Sequence, residues 1–239
     1  LRADEDTRWL ALTTNRFLMR LPYGAEFDHV KGFAFEENPA DRDPNYLWGR
    51  GVWAIGERIA ASYTRTGWGV RLTGQDEDAV VADLPLRLLQ LKTGEIVPAP
   101  LETLLSERRA LEFSQGGVIA LLCPHGGDFA FLASAPMVHR SAMADGAAQS
   151  SAEARRNSLP FAMFVAQVSA WVAHLDGAGR FDSEEERRVA LARGVQFLSM
   201  TGDGATLEAS VEGDSIRIIP WRDPLRGLPD FTLTLPARE

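Results

Sequence analysis

The chain has a single cysteine, Cys123, in 239 residues. An internal disulfide framework is thereby excluded, and no Cys/His spacing has the form of a zinc site. No apolar run approaches the roughly 20 residues that span a bilayer, and no signal-peptide pattern opens the sequence. Lys and Arg are not gathered into the clusters that track a phosphate backbone. With a net charge of −8 the chain is expected neither to bind nucleic acid nor to insert in a membrane. Gly49, Gly51 and Gly56 have the wrong gap for a phosphate-cradling G-x-G-x-x-G loop. Repeats and low-complexity tracts are missing as well.

What remains is an ordinary globular composition, 45% hydrophobic and 24% charged, long enough to bury a real core. These bounds describe a soluble, acidic, cytoplasmic protein. The chain is expected to form one α+β unit over 1–239, with a sub-division into 1–140 and 141–239 left open. It starts at Leu1 without a methionine, so it is expected to be a piece of a longer protein.

Periodicity supplies the elements. Leu10, Thr14, Phe17, Leu18 and Leu21 fall on one helical stripe, which predicts the last turns of a helix stopped at Pro22. Gly24 suits the tight turn that follows, and Phe33 with Phe35 points to one face of a short strand. Tyr46–Thr66 reads as a helix with Trp48, Val52, Ile55, Ile59 and Tyr63 inward, closed at Gly67. Gly56 and Ala60 offer it a small-residue groove for close packing. The run from Trp68 reads as strand-like, residues 79–91 as further β structure, and Leu101–Phe113 as a short helix. Gly117–Ala133 is the best hairpin, turning at Pro124-His125-Gly126-Gly127. After a small-residue loop at Met143–Ser151, the longest helix is expected over Ala152–Leu175, kinked or started at Pro160 with Ser158 as cap. Ser183 with Glu186 forms a capping-box pair for a helix to about Met200. The end is β, and Phe231, Leu233 and Leu235 alternate strictly with Thr232 and Thr234. Segregated strands and helices of this kind predict a mixed α+β fold.

Little chemistry stands out. Cys123 and His125 could form a nucleophile pair, but no third orienting group or oxyanion motif accompanies them, and a buried thiol beside a turn histidine is the expectation. His29, His139 and His174 lie on different elements, and Asp76-Glu77-Asp78 reads as a solvated acidic turn. Arg155-Arg156 and Arg187-Arg188 read as helix-face charges, solvated in the main reading and able to pair with neighbouring subunits in the other. Trp221, among Arg222, Asp223 and Pro224, is a large aromatic in a loop, a candidate partner anchor as well as a candidate core residue.

A set of motifs carries more information by its order. Arg16-Phe17 and Arg20-Leu21-Pro22-Tyr23-Gly24, then Phe33 and Phe35 with Glu36-Glu37, then Tyr46-Leu47-Trp48-Gly49 and Gly67-Trp68, resemble the large subunit of the type VI secretion contractile sheath. Leu84-Pro85, Glu107-Arg108-Arg109, Gly116-Gly117, Asn157 to Phe161 and Leu228 to Pro236 continue the likeness to the end of the chain. It is read as the C-terminal half of a divergent large subunit. The loop after Gly67-Trp68 departs from the family pattern, as does the stretch Ile219–Gly227.

The resemblance implies a phage-tail-sheath-like fold and a structural role without enzyme activity or cofactor. The implied partners are a small sheath subunit, further copies of this chain, the protein of an inner tube, and a disassembly ATPase. It also implies strands exchanged between protomers, for which Phe231–Leu235 is suited, with the Pro224–Gly227 segment as a flexible tether. Two other readings stay open: a non-contractile binding or regulatory paralogue, and a Cys123/His125 hydrolase.

Overall fold

The computed structural model describes residues 3–24, 37, 46–139, 151–201 and 204–236. Phe33, Phe35, Glu36 and most of the Met143–Ser151 loop lie outside them. The chain divides into two compact units, one made of 1–62 and 72–139, the other of 63–71 and 140–239. Helices and mixed sheets are both present, as the α+β reading requires.

In the first unit, a 3-10 turn at Glu5–Trp9 precedes β1 (Leu12–Thr14) and β2 (Arg16–Leu18), and the expected helix over Leu10–Leu21 does not form. Thr13 and Thr14 are β-branched, and each short strand has a distant partner: β1 pairs in parallel with residues 118–120, β2 antiparallel with residues 48–50. Pairing across the fold overrides an accidental helical spacing. Asn15, between the two strands, has φ +75°, a conformation that asparagine tolerates better than most residues. Its side chain holds the kink, donating to the Thr103 and Leu121 carbonyls (2.8 and 3.1 Å) and accepting from the Thr103 N–H (3.2 Å).

β3 (Trp48–Arg50) runs straight into α1 (Gly51–Thr66), so Tyr46–Arg50 is not the helical first turn that was expected. The buried face of α1 is also rotated. Ala54, Ile55, Arg58 and Ser62 point inward, while Val52 and Tyr63 are 54% and 56% exposed. Gly56 and Ala60 are exposed, so they form no packing groove among the described residues. Small side chains let the helix approach closely: a side chain at Gly51 would strike Thr13 and Leu121. Gly67 closes the helix at φ +75°, its N–H on the Tyr63 carbonyl.

Beyond residue 71 come β4 (Val80–Val81), β5 (Arg87–Gln90), β6 (Ile96–Ala99), α2 (Glu107–Gln115), β7 (Val118–Leu122) and β8 (Ala130–Leu132). The sheet order is β1-β7-β8-β4, and the expected β7–β8 hairpin is present. β5 and β6 make a separate antiparallel ribbon. α2 starts six residues later than expected, because Ser106 is the residue that caps it. Leu101, wholly buried, instead bridges Phe17.

The second unit holds α3 (Ser151–Arg156), α4 (Leu159–Ala178), α5 (Glu184–Leu198), β9 (Met200–Thr201), β10 (Gly204–Ala205), β11 (Leu207–Glu212), β12 (Ser215–Pro220) and β13 (Phe231–Thr234). Pro160 marks a start, not a kink: it sits in the first turn of α4, and the Ser158 hydroxyl accepts the Phe161 N–H. The Ser183 hydroxyl accepts the Glu186 N–H (3.1 Å), while the Glu186 carboxylate reaches back to the Asp182 N–H (2.8 Å). β11, β12 and β13 form an antiparallel sheet in that order. Its inner face, Leu207, Ile216 and Ile218, packs with Phe164, Val168 and Val172 of α4 and Leu191 and Val195 of α5. Burying each such side chain contributes about 1.5–3 kcal/mol, so this core dominates the unit. Trp68 and Val70 join that core individually; the Trp68 segment forms turns, not the strand expected of it. The Trp68 and Phe164 rings meet edge to face at 5.6 Å.

Candidate functional site

The motif residues of the first unit converge although they lie far apart in sequence. β2 lies between β3 on one side and residues 100–102 on the other: the Leu18 N–H donates to the Pro100 carbonyl (2.7 Å), and the Glu102 N–H to that of Arg16 (2.9 Å). Arg16 grips the Glu102 carboxylate with two parallel bonds of 2.8 and 2.6 Å. Its guanidinium, hydrogen-bonded to Glu102, holds that carboxyl below the usual carboxylate range. The Trp48 ring has two arginines near it, Arg16 at 5.5 Å and Arg87 at 5.1 Å, and Arg87 also lies 5.7 Å from Tyr46. Arg87 is buried and donates to the Glu102 carbonyl (2.7 Å). Arg87 escaped the sequence reading; an arginine inside an apolar strand run was the available signal.

The Arg20–Gly24 turn closes on Glu37. Arg20 makes a second two-bond clasp, 2.6 and 2.7 Å, and its guanidinium lies 4.0 Å from the Tyr23 ring. The Tyr23 N–H donates to the same carboxylate (2.9 Å), and the Glu37 N–H to the Tyr23 carbonyl (2.8 Å). Arg20 first, then the Tyr23 amide, pull the Glu37 pKa down to about 2. Leu21 and Pro22 lie in the loop between these anchors.

At the other end of the chain, β13 pairs with β12 of its own chain: Phe231 opposite Ile218, Thr232 opposite Arg217, Leu233 opposite Ile216 and Thr234 opposite Ser215. The Leu235 N–H continues toward the Asp214 carbonyl (3.4 Å). Phe231 stacks edge-on against Phe161 and Phe164 at 6.1 and 5.3 Å. The segment before it is no flexible tether. Leu225 is wholly buried, and the Leu225 and Leu228 N–H groups close successive turns on the Arg222 and Leu225 carbonyls. An apolar side chain sunk in the core holds this loop despite its proline and glycine. Trp221 is 50% exposed, with the Arg222 guanidinium 4.6 Å from its ring.

Arg187 is the residue most misjudged from sequence. Read as a solvated helix face, it is 2% exposed. Its Nε and Nη2 bind both oxygens of Asp176 (2.7 Å each), and Nη1 binds Glu184 (2.9 Å) and the Pro236 carbonyl (3.0 Å). The bonds to Asp176 first, and then to Glu184, raise its pKa further. Arg188 and Arg156 are paired too, Arg188 with Asp214 (2.7 Å) and Arg156 with Asp230 (3.1 Å).

Cys123 and His125 do not act on one another in this arrangement. The thiol donates toward the Pro124 and Gly127 carbonyls (3.0 and 3.3 Å), and burial, with the Asp128 charge, pushes it up to about 11. A thiol that high stays protonated at neutral pH and is a poor nucleophile. The His125 ring lies 3.6 Å from Glu95. Among the described residues no group of three His, Cys, Asp or Glu side chains could hold a metal ion, and no helix is long and apolar enough to cross a membrane.

The residues in motif order are therefore framework: clasped arginines, stacked rings and short paired strands that hold a shape. A family model described as the EvpB/VC_A0108 tail sheath N-terminal domain, VipB, matches residues 1–139. The type VI secretion system sheath protein TssC1 of Pseudomonas aeruginosa strain PAO1 is 35% identical over 147 residues, which is 61% of this chain and 30% of that protein. The chain belongs to the VipB/TssC family of type VI secretion sheath large subunits. The match spans under a third of that relative's length, and the matched description is of an N-terminal tail sheath domain, not of the C-terminal half that the motif order suggests.

Proposed function

We propose that this chain is a structural subunit of a contractile secretion sheath. It co-assembles with a small sheath subunit and further copies of itself around an inner tube, with a disassembly ATPase recycling the contracted form. The reading rests on the family membership together with one observation, the place of β13. An outermost strand of alternating Phe231, Leu233 and Leu235 can be exchanged between protomers, so that neighbours stay linked while rigid bodies rotate. The free energy of contraction then lies in two subunit packings of different stability. Trp221, half exposed beside the same strand system, is the side chain assigned to anchor a partner.

Co-expression with a small sheath subunit, followed by electron microscopy, tests this. Tubules are expected, and they are expected to vanish when residues 229–239 are deleted. A discrete monomer or dimer that ignores the small subunit would overturn the proposal. A second reading, a non-contractile paralogue, is favoured by the buried Leu225, which pins the loop and keeps β13 in its own sheet.

A further inference from the structure

Three arginines hold the two ends of β13, and they are not equivalent. At its start, Asp230 receives Arg156 and Arg217, each at 3.1 Å, from side chains that are about half exposed. At its end, the Pro236 carbonyl receives Arg187, which solvent barely reaches. Exposed pairs are weak and screened by salt, so these two ties add little to what Phe231 already holds at the start of the strand. Arg187, at the other end, is buried.

A buried arginine between two carboxylates is a costly way to join α4 to α5, and apolar side chains of equal volume would serve as well or better. What apolar side chains cannot do is hold a main-chain carbonyl. Arg187 has its Nε and Nη2 committed to Asp176 and its Nη1 shared between Glu184 and Pro236. Asp176 lies in the last turn of α4 and Glu184 at the first residue of α5, so the fork is aimed by two helices. Pro236 lies two residues beyond β13 and offers its carbonyl without a competing N–H of its own.

We propose that Arg187 is the positioning residue of the C-terminal strand: its fork fixes where the chain leaves the body after β13, and its release is the step that frees the strand to pair in a second copy. The release half of this rests on the sheath reading above; the positioning half does not. Phe231 and Leu233 supply the burial that keeps the strand down, and Arg187 supplies register and exit direction.

Amide hydrogen exchange of the whole chain, read by NMR, tests it. Arg187→Lys keeps the charge and the stem but loses the fork. The amides of 231–235 are expected to exchange about tenfold to a hundredfold faster, while those of 164–172 within α4, whose bonds do not involve β13, change less than about threefold. Equal acceleration in both groups would make Arg187 a general support of the unit, and no acceleration would make it irrelevant to the strand; either overturns the proposal. Should Arg187→Lys fail to fold, a chain ended at Leu235 as its amide removes the Pro236 acceptor and leaves Arg187, Asp176 and Glu184 in place. The same local acceleration is expected there, and unchanged exchange overturns the proposal. Co-assembly with a small sheath subunit is scored separately. Local loosening without co-assembly keeps the positioning role and removes the sheath reading, whereas co-assembly with unchanged exchange does the reverse.

Discussion

Phe17 and Gly49 face one another across the β2–β3 ribbon, and the Phe17 ring fills the space in which a side chain at residue 49 would begin. Two motifs some thirty residues apart thus form one contact: the aromatic of Arg16-Phe17 requires the glycine of Tyr46-Leu47-Trp48-Gly49. Gly49→Ala is expected to destabilise the first unit by about 1–3 kcal/mol, because the ring must leave its place. Phe17→Leu should recover part of the loss in the double variant. Urea unfolding of the four chains measures this, and strict additivity would show that the ring and the glycine do not meet.

The Arg16–Glu102 clasp bridges β2 to the segment after β6. Both side chains are partly solvated, so the pair is expected to contribute only about 1 kcal/mol. A double-mutant cycle with Arg16→Lys and Glu102→Gln should give that coupling at low salt and less at 1 M. A coupling indistinguishable from zero at low salt would show that the clasp adds nothing to stability.

Glu37 sets a pH dependence. Its folded pKa of about 2 lies below its ordinary value of 4.5, so the clasp's contribution is fully present above pH 4.5. It is lost as the pH falls through the folded value, toward pH 2. Following the Glu37 carboxyl carbon by NMR should give that midpoint, and in Arg20→Gln the midpoint should rise toward the ordinary range. A midpoint unmoved by Arg20→Gln would remove Arg20 as the cause.

Cys123 should be slow. With its pKa near 11, the folded chain carries about a hundredfold less thiolate at pH 8 than a free cysteine does. Alkylation by iodoacetamide is expected to be retarded in proportion and to recover fully in urea. Rapid alkylation of the folded chain would revive the hydrolase reading of Cys123 and His125.

Much of this architecture was legible one segment at a time. Ser158 with Pro160 and Ser183 with Glu186 announce helix starts, because a cap is chemistry between residues three apart. The β7–β8 hairpin and the last strand were equally plain, since Pro124 to Gly127 supply turn chemistry between two apolar runs, and Phe231, Leu233 and Leu235 alternate with Thr232 and Thr234. The motif order pointed to the family before any contact was known.

The tertiary structure decided everything that depends on a distant partner. β1 and β2 are three residues each, too short for a period to declare itself, and exist because residues 118–120 and 48–50 pair with them. The face that α1 buries, Ala54, Ile55, Arg58 and Ser62, shares only Ile55 with the apolar stripe. Leu225 overrode the proline and glycine around it by reaching the core. Arg187 looked like any helix-surface arginine until Asp176, eleven residues before it, and Pro236, forty-nine after it, closed around its fork. Sequence by itself determined caps, alternation and family, because those are local bonds and ordered residues. Burial and pairing were decided only by the fold, because both depend on groups that the chain brings together from far apart.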